Sequence, residues 1–281
     1  MSLEKYIEKI EDFANKKILI TGCTSGIGLE AARILARKNA DIVMLARNKS
    51  KADSLREELI KINSNINIDF ISYDQCDYDS IDKAVKEINE KHSDFYALVA
   101  NAGVFHHSHT DLSKQNHPIT IETNFLGLRR FLDQIIDTCH HKKIIIQGSL
   151  VNKMHIKKNV DIYSNKHSAL KQYGISKCCV ESLWYSYAMN NKDNEFILVE
   201  PGMTSTDIIR ELKQPIRFLG HVFMRTVSHS AKKASLTILK GLEEQSHNLD
   251  FYVPRHFFTM RGYPKKVKFP KRRIREYLLH K

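Results

Sequence analysis

The sequence predicts an α/β protein, a doubly wound parallel sheet in a single domain, and two observations carry that reading. Short runs that are apolar throughout, rather than alternately apolar and polar, recur along the chain, and such strands belong to sheets covered on both faces. Longer stretches of helical period separate them, and strict alternation of strand and helix calls for parallel βαβ units with right-handed crossovers. The first strand is expected at residues 17–21, followed by a helix through Leu29, Ala32, Ile34 and Leu35. A second strand at 41–45 precedes a polar helix over about 49–62. Strands are expected again at 66–71, 95–100, 143–147 and 196–199, with helices around 80–91, 119–138 and 172–189 between them. Phe251, Tyr252 and Val253 would add a seventh strand. A length of 281 residues is within reach of one large α/β domain.

Composition excludes other classes. With 42% hydrophobic and 27% charged residues the chain is an ordinary globular protein rather than a disordered or fibrous one. No apolar run approaches the roughly 18 residues that span a bilayer. The first seventeen residues mix Glu and Lys without an apolar core, so a signal peptide is not expected and the chain reads as cytoplasmic. Five cysteines (Cys23, Cys76, Cys139, Cys178 and Cys179) form no CxxC pair and read as reduced thiols. The net charge of +12 is unevenly spread: residues 255–281 hold ten Lys or Arg against one acid, Glu276. The chain before them is close to neutral, so 255–281 reads as a basic tail. Such a tail suits an anionic membrane surface, an anionic ligand or nucleic acid, and equally a solvated end. Phe257, Phe258, Tyr263 and Phe269 are interleaved with its basic residues, but the absence of a reader motif argues against nucleic acid. Membrane-peripheral attachment stays open.

Directly after the first strand comes Thr21-Gly22-Cys23-Thr24-Ser25-Gly26-Ile27-Gly28. In a doubly wound fold this turn binds pyrophosphate, because glycines let the backbone approach the anion and helix N–H groups face it. The spacing Gly-x-x-x-Gly-x-Gly resembles the loop of the short-chain dehydrogenase/reductase family, whose Rossmann fold carries a nicotinamide dinucleotide. That resemblance assigns Gly22, Thr24, Ser25, Gly26, Ile27 and Gly28 to the cofactor. Charge then argues which cofactor. An NAD-binding protein usually ends its second strand with an acid for the ribose 2′-hydroxyl. Here the strand ends Leu45-Ala46-Arg47-Asn48, and a guanidinium suits a 2′-phosphate, so NADP(H) is preferred to NAD(H), with Arg47 and Asn48 beside it.

The same resemblance extends over roughly residues 16–244. Asp74 and Gln75, after the third strand, match the family's contact with the adenine edge. Asn101-Ala102-Gly103, after the fourth, matches the turn that packs beside the cofactor. Pro201-Gly202, with Thr204 and Thr206, matches the turn on the nicotinamide side. The family moves a hydride between nicotinamide and a carbonyl or alcohol carbon using Asn, Ser, Tyr and Lys. Tyr-x-x-x-Lys occurs twice here, at Tyr173…Lys177 and Tyr277…Lys281, and only the first opens a long helix ahead of the sixth strand. A spacing of four puts both side chains on one helix face. A lysine ammonium beside a tyrosine favours phenolate, which is how a group with an ordinary pKa near 10 becomes useful in proton transfer. By resemblance, Tyr173 is the acid/base, Lys177 bonds the nicotinamide ribose, Ser149 orients the substrate oxygen and Asn124 supports a proton relay.

One departure from the family stands out. Ser149 and Tyr173 are 24 positions apart where about a dozen is usual, so residues 151–168 form an insertion, expected to bulge at the rim of the site. It carries Lys153, His155, Lys157, Lys158, Tyr163 and His167. The expected organisation is therefore a catalytic domain over 1–254, with a substrate lid near 203–230, and the basic tail. His106, His107 and His109 cluster without an acid or cysteine pattern of zinc-site spacing, so no metal is expected. Arg261-Gly262-Tyr263-Pro264 loosely resembles the retinol-dehydrogenase-like members, which implies a lipophilic carbonyl or alcohol substrate. A homo-oligomer, dimer or tetramer, is implied by the family. The rival reading is a nucleotide-sensing or scaffold protein on the same fold, against which the retained Tyr and Lys argue.

Overall fold

Neighbouring residues of a strand point to opposite sides of its sheet, and both sides are apolar here. Ile18, Ile20, Ile42, Met44 and Ile145 enter one core, while Leu19, Val43, Leu45, Ile144 and Ile146 enter another. That is the physical meaning of continuously apolar strands: the sheet is sandwiched. The computed structural model describes residues 1–153, 160–203, 229–256 and 260–274. Its strands are β1 (Lys17–Thr21), β2 (Asp41–Ala46), β3 (Ile68–Ser72), β4 (Ala97–Ala100), β5 (Lys143–Gln147), β6 (Glu195–Val199), β7 (Phe251–His256) and β8 (Arg261–Lys266). They form one sheet in the order β3-β2-β1-β4-β5-β6-β7-β8, parallel throughout except for the antiparallel β7–β8 pair. The order reverses between β1 and β4, and a doubly wound sheet binds its ligand at the carboxyl ends around such a switch point.

The helices follow the expected alternation, with α2 (Gly26–Arg37), α3 (Lys49–Ile62), α4 (Tyr78–Lys91), α6 (Gly127–Thr138) and α7 (Ala169–Asn190) as crossovers. An additional short helix, α1 (Leu3–Glu8), precedes the first strand and buries Ile7. Two more, α8 (Ala231–Ala234) and α9 (Leu236–Leu242), lead into β7. The helix expected over 119–138 is broken: α5 (Ile119–Ile121) passes into a π-turn at Glu122–Leu126 before α6 begins. Gly127 follows that turn and lies against the chain after β3, where a Cβ would fall 1.8 Å from the Gln75 carbonyl oxygen. A widened helical turn of this kind is rare and marks functional segments; this one carries Asn124.

Three expectations need correcting. The division at residue 254 falls inside β7, and the basic segment beyond it is not a separate tail. Residues 261–266 complete the sheet as an edge strand, where Pro264 is tolerated because no further partner needs its N–H. Phe269 is buried against Trp184 and Phe251, at ring separations of 5.0 and 5.2 Å. Secondly, the insertion is not simply a bulge. Its described end turns inward, where Val160 and Ile162 join a third core cluster with Ile121, Phe125, Ile175 and Leu183. Thirdly, the strands expected at 66–71 and 95–100 are displaced or shortened, to 68–72 and 97–100. Most of the expected lid, together with residues 154–159 of the insertion and the second Tyr-x-x-x-Lys pair, lies outside the described residues.

Candidate active site

The carboxyl ends of β1, β2, β4, β5 and β6 open on a cleft of about 920 Å³. At its β1 end the chain enters α2 through the glycine loop. Gly22 has a φ of +68°, a left-handed conformation that glycine adopts without steric cost. Gly28 lies so near that turn that a Cβ would meet the Gly22 carbonyl oxygen at 2.5 Å. Ser25 is the N-cap of α2 but makes no side-chain capping bond. The first N–H groups of a twelve-residue helix are thus left for a ligand, and a phosphate is the natural one. Around Gly26 there is open space, with nothing within 4 Å of an added Cβ. These features fit a dinucleotide pyrophosphate.

Asn101, expected beside the cofactor, braces the loop. Its side-chain amide donates to the Thr21 and Gly22 carbonyls at 3.0 and 3.2 Å, and Thr21 Oγ1 accepts from the Asn101 and Ala102 N–H groups. Gln75 is likewise buried: its amide donates to the Thr123 carbonyl at 2.6 Å and its oxygen accepts from the Tyr73 hydroxyl at 3.0 Å. Asn48 caps α3 by accepting from the Lys51 N–H at 2.9 Å. All three line the cleft, but these side chains make structural contacts that sequence matching did not reveal. Arg47 stands largely exposed at the lip, its guanidinium 3.9 Å from Asp74. Lys51, one turn into α3, lines the cleft beside it; the sequence reasoning missed it, although a lysine in the first turn after Arg47 was a readable signal.

At the β5 end the expected catalytic residues converge. Ser149 and Tyr173 lie together in the cleft lining: burial pushes the Tyr173 phenol up from its ordinary value, and the Ser149 hydroxyl offsets part of that rise. Lys177 is buried one helical turn on, its Nζ 5.9 Å from the Tyr173 ring centroid and donating to the Gln147 carbonyl at 3.1 Å. Burial pushes the Lys177 ammonium down to about 8, with the nearby Glu181 carboxylate acting the other way. Asn124 is a bolt: it accepts from the Val104 N–H at 2.7 Å and donates to the Val104 carbonyl at 2.9 Å and to Ser176 Oγ at 3.0 Å. It thereby ties the loop after β4 to α7. Pro201 and Gly202 line the cleft opposite, and Thr204 and Thr206 lie outside the described residues. Sequence reasoning also missed the apolar wall here, formed by Val104, Phe105, Leu150, Val151 and Met203. Phe105 meets the Tyr173 ring edge-on at 5.6 Å. Each lies within two residues after a recognised motif, which was the available signal.

Known proteins resemble this chain in sequence and in fold. A family model described as short chain dehydrogenase matches residues 16–217. The Brassica napus protein named Short-chain dehydrogenase TIC 32 B, chloroplastic, is 28% identical over 210 residues, covering 68% of this chain and 65% of its own length. The Dictyostelium discoideum protein named Dehydrogenase/reductase SDR family protein 7-like is 28% identical over 258 residues, covering 85% and 76%. A short chain dehydrogenase from Burkholderia cenocepacia, solved in complex with NADP, is similar in fold with a TM-score of 0.65 at 19% identity, covering 84% of this chain and 93% of its own.

Proposed function

This chain belongs to the short-chain dehydrogenase family, and on that premise we propose that it is an NADP(H)-dependent oxidoreductase acting on carbonyl and alcohol groups. The observation that carries the reading is that Ser149 and Tyr173 line one end of a cleft, with Lys177 buried beside Tyr173, while the other end fits a pyrophosphate. The glycine loop and the α2 N-terminus would hold the cofactor, which supplies or accepts the hydride. Ser149 orients the substrate oxygen, and Tyr173 gives it a proton in reduction or takes one in oxidation. Lys177, as an ammonium, favours the phenolate side of that exchange. Asn124 keeps the wall of the site fixed while the proton moves. The test is a panel of aliphatic and aromatic aldehydes and ketones, followed at the NADPH absorbance band; no turnover anywhere in the panel would favour a nucleotide-sensing role instead.

Cofactor choice rests on Arg47, with Lys51 as a second cation on the same lip. Arg47→Ala is expected to weaken NADPH binding by about 1.5–3 kcal/mol, the range for one charge-assisted contact, and to leave NADH nearly unchanged. Equal losses in calorimetric titrations with both cofactors would remove Arg47 from 2′-phosphate recognition.

The apolar wall of Val104, Phe105, Leu150, Val151 and Met203 supports a lipophilic substrate. Among the described residues no helix is long and apolar enough to cross a membrane. In this reading membrane contact is peripheral, through the exposed Arg255, Arg261, Lys268 and Lys271. Because residues 261–274 are part of the packed protein, a truncation would damage the sheet, and charge reversal is the cleaner probe. Lys268→Glu with Lys271→Glu should abolish binding to phosphatidylserine vesicles at low salt, each cation contributing about 1 kcal/mol. Unchanged vesicle binding would make the segment purely structural. A cytoplasmic location and a homo-oligomeric state remain part of the proposal, the latter tested by sedimentation.

A further inference from the structure

Arg273, near the end of the described chain, reaches back 73 and 92 positions to two carboxylates that are wholly buried. Its Nε donates to Glu181 at 3.0 Å, and its Nη2 contacts both Glu181 and Glu200. Glu181 sits on α7 one helical turn beyond Lys177, so the two side chains share a helix face. Glu200 immediately precedes Pro201-Gly202. Both carboxylates lie beneath the strand end that carries Ser149: a Cβ on Gly148 would be 3.6 Å from Glu181 Oε1 and 3.6 Å from Glu200 Cγ. Phe269 and Phe251 stack against the guanidinium, at 5.0 and 5.5 Å, and hold it in place.

Burying two carboxylates with one guanidinium is costly, and a hydrophobic cluster of equal volume would usually serve stability as well or better. The arrangement therefore calls for a role other than stability, and its position supplies one. We infer that Arg273, Glu181 and Glu200 form a positioning cluster for Lys177: residues 271–274 supply the cation that bridges Glu181, one helical turn from the lysine, to Glu200 and so ties α7 to the turn on the nicotinamide side. The inference rests on the reading of Lys177 as a member of the catalytic set. Burial pushes the Glu181 carboxyl up to about 8 with Arg273 drawing against it, so the anion is present on the alkaline side, where it holds Lys177 above the value that burial alone would give. Among the described residues, the other groups near Lys177 are Tyr173 on its own helix and uncharged ones, the Gln147 carbonyl from β5 and, across Gly103, the Asn124 side chain. Arg273 and Glu200 act on it through Glu181.

The sign follows directly. Removing the Glu181 anion makes the Lys177 ammonium easier to deprotonate, so the alkaline limb of turnover moves to lower pH. Glu181→Gln leaves the Arg273–Glu200 pair intact, and Arg273→Met with Glu200→Gln leaves Glu181 buried without its cation, which favours the protonated acid. With phenanthrenequinone as the carbonyl probe and NADPH as reductant, both variants are expected to move the alkaline limb of kcat/KM down by about half a pH unit or more. Lys177→Met, run beside them, is expected to lose turnover while retaining a native circular dichroism spectrum. If Lys177→Met is inactive but both cluster variants keep the parental pH profile, whatever their melting temperatures, the cluster is structural only and the inference fails. If Lys177→Met stays active, the assignment of Lys177 fails first and the inference with it. Should one cluster variant not fold, the other decides alone.

Discussion

Tyr173→Phe is expected to lower turnover by at least about 10²-fold, the usual share of general acid/base catalysis, while NADPH binding is retained. The substitution removes one oxygen from a ring that packs edge-on against Phe105, so the loss would be chemical rather than structural. Burial raises the phenol above its ordinary value, and Ser149 offsets part of that rise. Losing the hydroxyl removes the group assigned to pass a proton to a substrate oxygen held by Ser149. Steady-state rates with a carbonyl from the panel, alongside NADPH binding, check this. Turnover close to the parental value would mean that Tyr173 is not the acid/base.

Gly127→Ala is expected to cost about 3 kcal/mol of stability, at the upper end of ordinary overpacking. Replacing a helical glycine by alanine normally gains about 0.5–1 kcal/mol. Here the added methyl would stand 1.8 Å from the Gln75 carbonyl oxygen, far inside van der Waals contact. Neither partner yields easily. Gln75 is fixed through its side chain to Thr123 and Tyr73, and Gly127 follows the π-turn that carries Asn124. Relief by moving α6 would disturb the bonds of Asn124 to Val104 and Ser176. Urea denaturation should therefore show a lower midpoint, accompanied by weaker NADPH binding. A midpoint at or above the parental one would show that the contact relaxes at no cost.

The sheet was legible because its strands are buried on both faces, so their apolar runs stand out from any register. β8 was not, since an edge strand needs no such run, and Arg261-Gly262-Tyr263-Pro264-Lys265-Lys266 reads as a basic loop until its pairing with β7 is seen. The π-turn was hidden because one extra residue per turn over so short a segment barely disturbs helical periodicity. At the site, the motifs gave the neighbourhood of each residue but not its bonding. Asn101, Gln75 and Asn48 sit where expected, yet their side chains brace backbone groups from other elements or cap a helix. The Arg273 cluster joins residues up to 92 positions apart, and no local pattern announces such a contact. Charge count was no guide here, because it grouped a half-buried, ion-paired arginine with the rest of a basic tail.

The central claim is that hydride passes between NADP(H) and a substrate carbon in this cleft. It is tested most directly with NADPH carrying deuterium at the nicotinamide C4, incubated with each carbonyl of the panel and the full chain, followed by mass spectrometry of the alcohol product. The account predicts one deuterium on the carbinol carbon from one C4 face only, and none when Tyr173→Phe replaces the parental protein under the same short incubation. An alcohol product without the label, or NADPH bound with no labelled product from any carbonyl, would contradict it.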